Sequence, residues 1–497
     1  MYLVSDILNK TKTGTYWSIF LKVLFETIRF GLSVVVARLL NPKDFGLFGI
    51  GYMVIFYANS MTNIGFNNAL VQKKEITHYH INSVFCFDLG FSVLLTLFCF
   101  IGAKSISIFF HAPESEKVLL VLSSLFILTS FYNIPQTILR REIEFKVISI
   151  INLIEGLLNY AIAILLAILG FGVWALVYGK IGSILFATIL FLIKSRWLPK
   201  IEFSFFAFKD LWSFGIWEFL RAQLNYITSY IDYFFIGKFL GVIPLGYYEK
   251  AFNISTMPLS FVAPVNTILF SSVSRLQKDI KTVKMLFKKA IITLSVFVFP
   301  IYCGLSFISP YFVKVFLGDK WMPMTLSLQI LFFAGIFKTL NYIVAGFNVG
   351  LGMNKKHTLR RVVSSILLII FCFIGVFLGI EGVAVAILLD VFITFLLIFD
   401  VLKKIVEISF KELIKNLYPA IILSTLMLLC LNVLSNYFPK YTFLNMFILL
   451  ISGIIVYIIL FLFLIFWVTS EFKKQIYTSF KTFINISKNY IFHPNHK

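Results

Sequence analysis

The sequence predicts an all-α polytopic membrane protein, and three observations support this fold class. Of the 497 residues, 59% are hydrophobic and only 13% are charged, whereas soluble domains are about 45–50% apolar and about 25% charged. The mean hydropathy of the chain is +0.92. Long apolar runs follow one another, and the basic residues are divided among the short loops between these runs.

A membrane-spanning helix needs about 20 consecutive, mostly apolar residues, and the chain contains fourteen such runs. Loops between the runs are short, so we expect no inserted soluble domain. The predicted spans lie at roughly 14–40, 44–72, 79–103, 118–139, 147–169, 171–193, 211–238, 246–276, 283–308, 324–350, 358–380, 382–402, 413–434 and 443–468.

The net charge of +21 could indicate nucleic-acid binding, but the distribution of the basic residues argues for a membrane topology instead. One alternate set of loops, with the C-terminal tail, holds thirty of the 44 lysines and arginines, and the opposite loops hold eight. Loops rich in Lys and Arg face the cytoplasm. We therefore expect both termini in the cytoplasm and an even number of spans.

An internal repeat relates two halves of the chain. Residues 37–40 (ARLL) align without gaps on 237–240 (GKFL), and residues 46–48 (GLF) align on 246–248 (GYY). Each half has six spans, so we expect two pseudo-symmetric lobes related by an axis along the membrane normal. The predicted domains are an N-lobe (1–200, spans 1–6), a C-lobe (201–410, spans 7–12), two further spans (411–470) and a basic cytoplasmic tail (471–497).

Motifs of enzyme chemistry are absent from the sequence. There is no HExxH, no GxSxG and no Walker A motif, and the five cysteines stand alone in apolar stretches without a CxxC pair. The six histidines lie in loops, at span ends or in the tail. We expect a protein that is not an enzyme, with no metal site and no cofactor other than H⁺ or Na⁺ as a coupling ion.

Charged residues inside the spans are informative, because each costs a few kcal/mol at the bilayer centre. The two helices that open the repeat each carry charges on one helical face. These residues are Lys22, Glu26 and Arg29 on the first span, and Glu218, Arg221 and Asp232 on the seventh. Two symmetry-related charged stripes predict a hydrated cavity between the lobes.

The cations among the in-span residues predict a site for an anionic head group, and arginine in particular suits phosphate. The predicted cavity residues are Lys22, Arg29, Lys180, Arg221 and Lys338. The alternative is a structural role, because Glu26 with Arg29, or Glu218 with Arg221, can pair along a single helix.

The acids inside the spans predict either ion-pair partners or sites for a coupling ion. They are Glu26, Asp88, Glu155, Glu218, Asp232 and Asp390. Asp88, Glu155 and Asp390 are single acids in their spans, and an unpaired carboxylate in a low-dielectric span can take up a proton or Na⁺. Pairing with a lysine of another helix is the alternative.

Six stretches carry a resemblance to a known family. They are ARLLNPKDFGLF (37–48), LRREIEFK (139–146), GFGVWALV (170–177), DYFFIGKFLGVIPLGYYEKA (232–251), FLGDKW (316–321) and GLGMNKK (350–356). In this order they resemble the polysaccharide flippases of the MOP (multidrug/oligosaccharidyl-lipid/polysaccharide) superfamily, the Wzx-type exporters of lipid-linked oligosaccharide, in the subgroup that handles exopolysaccharide, lipopolysaccharide and teichuronic acid units.

The resemblance implies a two-lobed transporter of fourteen helices that turns undecaprenyl-pyrophosphate-linked oligosaccharide across the bacterial inner membrane by alternating access, for the synthesis of O-antigen, exopolysaccharide or capsule. It implies that Lys22, Arg29 and Arg221 contact the head group in a cationic cavity, and it suggests polysaccharide polymerase machinery as a partner. Two alternatives remain: a cation-coupled drug antiporter of the same superfamily, which would have an acidic cavity, and a non-transporting membrane scaffold for a glycan polymerase.

Overall fold

The computed structural model describes residue 21 and residues 24–62, 65–437 and 441–467, and this part of the chain is helical with short connections and no β-strand. The α-helices are α1 (24–39), α2 (Pro42–Thr62), α3 (Phe66–Gln72), α4 (His78–Phe109), α5 (Ser115–Leu122), α6 (Ser124–Arg141), α7 (Phe145–Ile168), α8 (Val173–Ser195), α9 (Phe205–Phe235), α10 (Val242–Arg275), α11 (Ile280–Phe312), α12 (Thr325–Gly350), α13 (Asn354–Gly375), α14 (Gly379–Val406), α15 (Phe410–Ser435) and α16 (Phe443–Trp467).

The predicted all-α class is confirmed, because the described part of each predicted span is helical over most of its length. The second predicted span is interrupted before α3, where Gly65 takes the left-handed conformation with φ +72°. The fourth is continuous, because Ser123, between α5 and α6, keeps helical angles of φ −61° and ψ −22°. Nine helical segments of the described chain are long and apolar enough to cross a membrane. The count of fourteen spans stays a prediction.

The described chain divides into two compact units. The first contains the residues up to Lys250 together with Cys372–Val383, and the second contains Ala251–Phe371 and the residues from Ala384 onward. Helix α9 therefore lies in the first unit, and α10 passes from the first unit into the second. The division into lobes at residue 200 rests on the repeat and stays a prediction, and the tail from residue 471 lies outside the described residues.

An apolar cluster in the first unit joins α2, α4, α6 and α8. Ile55, Cys99, Phe126 and Val177 are all buried within it. Close packing of this kind holds helices in one arrangement, because even one added or removed methylene in a packed core forces its neighbours to shift or leaves a gap. The cluster fixes the facing surfaces of α6 and α8, from which the polar residues of the site described below project.

In the second unit, two asparagines tie α12 to α14. The side-chain amide of Asn341 donates to the carbonyl of Val391 at 2.8 Å, and that of Asn348 donates to the carbonyl of Ile398 at 2.9 Å. Both bonds join residues 50 positions apart, so the two helices run side by side in fixed register. Polar side chains that bond across helices are a common means of association inside a membrane.

Arg141, the last residue of α6, holds the C-terminal end of α3 in the first unit. Its guanidinium donates to the carbonyls of Leu70 at 2.6 Å, Lys73 at 2.5 Å and Lys74 at 2.7 Å. The last carbonyls of a helix have no partner within the helix, and a cation placed there also interacts favourably with the helix dipole. The predicted cytoplasmic ends of α3 and α6 are therefore joined through one side chain.

We predict that Arg141→Ala lowers the free energy of unfolding by about 2 kcal/mol, because several carbonyls lose a charged donor at once. The neighbouring variant Arg140→Ala is the matched control, since Arg140 makes a single exposed hydrogen bond to Asn68 at 3.2 Å. The midpoint of thermal unfolding of the purified protein in detergent measures both effects. Equal midpoints for the two variants would contradict the anchoring role of Arg141.

Candidate functional site

A polar pocket lies within the first unit, between α2, α6, α7 and α8. Its volume is about 180 Å³. The lining residues are Tyr52, Ile55, Phe56, Leu125, Thr129, Tyr132, Asn133, Glu155, Lys180 and Ile184. Two of them, Glu155 and Lys180, are site residues predicted from the sequence, and they come from different helices. The pocket therefore combines an ion pair, neutral polar groups and an aromatic wall.

The ion pair of the pocket joins α7 to α8. Lys180 Nζ lies 3.3 Å from Glu155 Oε1, and the two side chains are 23% and 15% exposed. The second carboxylate oxygen, Oε2, accepts a hydrogen bond from the Tyr132 hydroxyl at 3.0 Å. Gln136 in turn donates to that hydroxyl at 3.3 Å. Both oxygens of Glu155 are thus occupied, and Lys180 lies on the pocket lining with this carboxylate as its ion-pair partner.

Glu26 and Arg29 form a second ion pair in the first unit, at 2.9 Å and one helical turn apart on α1. The local pairing that the sequence left open as an alternative therefore occurs in the structure. Tyr160 of α7 interacts electrostatically with both members of this pair and with Glu249 of α10. Glu26 and Arg29 of the first predicted stripe thus belong to a cluster that includes residues of other helices.

Lys250 belongs to the same cluster and was not among the site residues predicted from the sequence. Its side chain is buried, donates to the carbonyl of Ser33 at 2.7 Å and lies 5.1 Å from the ring centroid of Phe45. Arg29 and Glu249 interact with it electrostatically. The sequence could have indicated Lys250 as a site residue, because it follows Glu249 in an apolar run. Only the fold shows that the Lys250 side chain reaches α1.

Two predicted acids of the first unit have different surroundings. Asp88 of α4 is 2% exposed, and its Oδ1 has no hydrogen-bond partner within the described chain. Asp232 of α9 is 1% exposed and accepts from the Tyr248 hydroxyl at 2.7 Å and from the Tyr233 N–H at 2.9 Å. Asp232 therefore ties α9 to α10, whereas Asp88 Oδ1 makes no such tie within the described chain.

The second unit holds the remaining two described site residues. Lys338 of α12 lies 4.1 Å from the ring centroid of Phe252. Asp390 of α14 accepts a hydrogen bond from Ser364 Oγ at 3.1 Å, and the Thr394 hydroxyl donates to that Oγ at 2.6 Å. Lys338 interacts electrostatically with Asp390. A carboxylate flanked by two hydroxyls is therefore present between α13 and α14.

Three predicted site residues cannot be assigned contacts. Lys22 lies outside the described residues, and the side chains of Glu218 and Arg221 lie outside those that the structure describes. In the described part of the first unit, Lys180 and Arg29 are each matched by one carboxylate. The predicted surplus of positive charge stays a prediction that depends on Lys22 and Arg221.

No cluster of three or more potential metal-binding side chains lies within the described ranges.

Two glycines bring the first turns of α2 and α10 into contact within the first unit. A Cβ atom on Gly46 would lie 1.9 Å from the carbonyl oxygen of Val242, and one on Gly246 would lie 1.8 Å from that of Pro42. These positions correspond in the 200-residue repeat, so the contact is reciprocal. We call this set (Pro42, Gly46, Val242 and Gly246) the glycine clasp. It lies at the predicted outer end of both helices.

We predict that Gly46→Ala costs about 1–3 kcal/mol of stability, the range for an added group in a packed site, because its methyl group would overlap a backbone carbonyl. Gly90→Ala is the matched control, since Gly90 lies within α4 and a Cβ atom added to it would have no neighbour within 4 Å. Thermal unfolding in detergent compares the two variants. A midpoint unchanged by Gly46→Ala would show that the clasp is not close-packed.

We predict a coupling free energy of about 1–3 kcal/mol between Glu155 and Lys180 in a double-mutant cycle with Glu155→Gln and Lys180→Gln, because either single change leaves a half-buried charge unpaired. The control cycle uses Lys43→Gln and Glu114→Gln, an ion pair whose side chains are 50% and 60% exposed. Coupling in an exposed pair is about 0.2–1 kcal/mol. Both cycles are measured by unfolding in detergent. A larger coupling for the control pair would contradict this account of the pocket.

Comparison with known proteins agrees with this architecture. Residues 35–326 match the family described as "Polysaccharide biosynthesis protein". The "Lipopolysaccharide biosynthesis protein WzxC" of Escherichia coli (strain K12) is 23% identical, over 67% of this chain and 68% of its own length.

Two solved structures share the fold. The "Lipid II flippase MurJ, inward closed conformation" superposes with a TM-score of 0.75 at 18% identity, over 90% of this chain and 97% of its own. An inward-facing "multidrug resistance MATE family transporter of the MOP superfamily" has a TM-score of 0.58 at 16% identity, over 79% of this chain and 99% of its own.

The family match covers more than half of the chain and includes five of the six stretches that carry the resemblance, which is therefore confirmed. The fold similarity is to membrane transporters and a flippase rather than to enzymes. This chain is a multi-pass membrane protein that belongs to the polysaccharide biosynthesis protein family and has the fold of the MOP superfamily.

Proposed function

We propose that this protein is a flippase that moves undecaprenyl-pyrophosphate-linked oligosaccharide across the bacterial inner membrane for the synthesis of a cell-surface polysaccharide. The family match and the similarity to a lipopolysaccharide biosynthesis protein support the pathway. The fold shared with a lipid II flippase supports the type of transport. The single observation that carries the mechanism is the half-buried ion pair that lines a pocket within the first unit.

Lys180 is the proposed contact for the pyrophosphate. A pyrophosphate oxygen can replace Glu155 as the partner of the ammonium, and charge-assisted bonds to phosphate are among the stronger polar contacts in proteins. Glu155 keeps its bond from Tyr132 when Lys180 turns away. Lys22, Arg29 and Arg221 are the further head-group contacts that the family resemblance implies, and Lys338 is the cation proposed for the second unit.

The exchange at Lys180 provides a route to ion coupling. When the ammonium bonds to the substrate, Glu155 loses its cationic partner in a low-dielectric region, where a lone carboxylate is costly. We propose that a coupling ion, H⁺ or Na⁺, then replaces Lys180 as the partner of Glu155 until Lys180 returns. Asp88, with its unpartnered oxygen, and Asp390, with its two hydroxyl neighbours, are the other proposed acceptors of H⁺ or Na⁺.

The glycine clasp is the proposed closure at the outer end of the pathway. Each of its two contacts places a glycine of one helix against a backbone carbonyl of the other, so no side-chain hydrogen bond has to break there when α2 and α10 separate. Because the two contacts are equivalent, one movement of α2 away from α10 breaks both of them. Alternating access requires such a contact to open when the substrate faces outward, and α10 extends from this contact into the second unit.

The distribution of basic loops supports cytoplasmic termini and insertion in the inner membrane. A flippase in that membrane delivers its product to the outer surface, where the machinery that polymerises the units is the expected partner.

We predict that Lys180→Gln lowers polymer export by about tenfold or more, the effect of one lost charged contact. The test is complementation of a deletion strain of the source bacterium, with surface polymer measured at matched protein level in the membrane. Lys104→Gln is the matched control, because Lys104 is an exposed lysine of α4 outside the pocket. The double variant Arg29→Gln with Arg221→Gln is expected to abolish export.

Normal export by both the Lys180 and the double variant would contradict the head-group mechanism. Normal export by a strain that lacks the protein would contradict the flippase itself. Deletion of the gene could abolish the polymer while every charge variant restores it fully. That result would support a scaffold for the polymerase instead.

A further inference from the structure

An aromatic stripe on α2 borders the pocket. Tyr52 lies 5.4 Å from Phe48 and 5.5 Å from Phe56, measured between ring centroids, with interplanar angles of 17° and 19°. Residues four positions apart lie on the same face of a helix, so the three rings follow one line along α2. Two of them, Tyr52 and Phe56, line the pocket beside Lys180.

The line of rings continues onto α9 in the same unit. Phe56 lies 4.7 Å from Tyr226 and 5.3 Å from Tyr230, and the two tyrosine rings are 6.5 Å apart at an angle of 19°. We call the four rings of Tyr52, Phe56, Tyr226 and Tyr230 the aromatic ladder. Its first two rings touch the pocket, and its last two extend away from it.

The ladder differs from the aromatic residues that only hold the helices together. Its four side chains are half-buried, whereas the nearby Tyr233 and Tyr248 are buried, and the Tyr248 hydroxyl is committed to Asp232. Partly exposed aromatic rings beside a charged pocket can contact a ligand there. Among the described residues, no group hydrogen-bonds to the hydroxyls of Tyr226 and Tyr230.

We infer that the aromatic ladder binds the sugar rings of the transported lipid by stacking, while Lys180 binds the pyrophosphate. This inference rests on the proposed function. In a lipid-pyrophosphate oligosaccharide the first sugar is bonded directly to the pyrophosphate. A head group at Lys180 therefore places the first sugar against Tyr52 and Phe56, and the following sugars reach Tyr226 and Tyr230.

The chemistry of both partners fits. An aromatic ring is negative on its face, and a pyranose presents C–H groups of slight positive charge on its own face, so the two stack. The pocket, at about 180 Å³, is smaller than the 300–1,000 Å³ typical of sites for drug-sized ligands. It can hold a head group or one sugar, so a longer oligosaccharide has to extend along the ladder.

Stacking also explains how one site can accept different sugars. It depends on the ring face rather than on the arrangement of hydroxyls, and the tyrosine hydroxyls add single hydrogen bonds. A lipid chain would gain nothing from these hydroxyls or from the adjacent ion pair. The ladder is therefore assigned to the oligosaccharide and not to the undecaprenyl tail.

The test compares two fluorescent substrates in liposomes that contain the purified protein. Both are undecaprenyl pyrophosphates, one with a single sugar and one with the complete repeat unit. The variant carries Tyr226→Leu and Tyr230→Leu, and its control is Tyr178→Leu, which removes an exposed tyrosine stacked on Trp174 at 5.6 Å. We expect the double variant to slow transport of the complete unit by about tenfold or more and that of the single-sugar lipid by less than about twofold.

A second variant, Tyr226→Phe with Tyr230→Phe, keeps the rings and should keep most of the transport of the complete unit. Equal slowing of both substrates by the leucine variant would assign the tyrosines to helix packing and overturn the inference, as would unchanged transport of both.

If the wild-type protein moves neither lipid, the proposed flippase function is contradicted. Sugar binding by the aromatic ladder is then tested separately, by calorimetric titration of the protein with the free repeat-unit oligosaccharide. Binding that the leucine variant loses would support the ladder, and no binding by the wild type would overturn it.

Discussion

The cost of placing charge in a membrane is the constraint on which this structure depends. A charged side chain at the bilayer centre costs at least a few kcal/mol, so each one needs a partner or access to water. Glu155 and Lys180 satisfy this requirement across two helices, with Tyr132 completing the coordination of the carboxylate. The pairing fixes α7 against α8, and it also places a cation on the lining of a pocket. One interaction thus stabilises the fold and provides the proposed site.

The repeat supplies a second organising feature. In the glycine clasp, each half of the chain contributes one glycine and one carbonyl, and the residues of the two contacts correspond at an offset of 200 positions. Because the duplicated sequence forms the contact twice, α2 and α10 contribute equally to it. In the proposed mechanism it is the symmetric contact at which α2 and α10 part when the outer side opens.

The sequence predicted the helical class and many of the charged positions, because apolar run length and isolated charges are visible without a fold. It could not predict most of the partners. Glu155 and Lys180 were identified separately, but their 25-residue separation gives no helical periodicity to connect them. Tyr248 was not predicted as the partner of Asp232, since tyrosines are common in these spans. Thr394 could have been found, because it lies four residues after Asp390 and so shares its face of the helix, whereas Ser364 comes from another helix.

The flippase mechanism is tested most directly by the affinity of the purified protein for a pyrophosphate lipid. Binding of undecaprenyl pyrophosphate and of undecaprenol, measured in the same detergent, isolates the contribution of the head group from that of the tail. We predict that the wild-type protein prefers the pyrophosphate lipid and that Lys180→Gln reduces this preference by about tenfold without changing the affinity for undecaprenol. Equal affinity of the wild-type protein for both lipids would contradict the proposed head-group site.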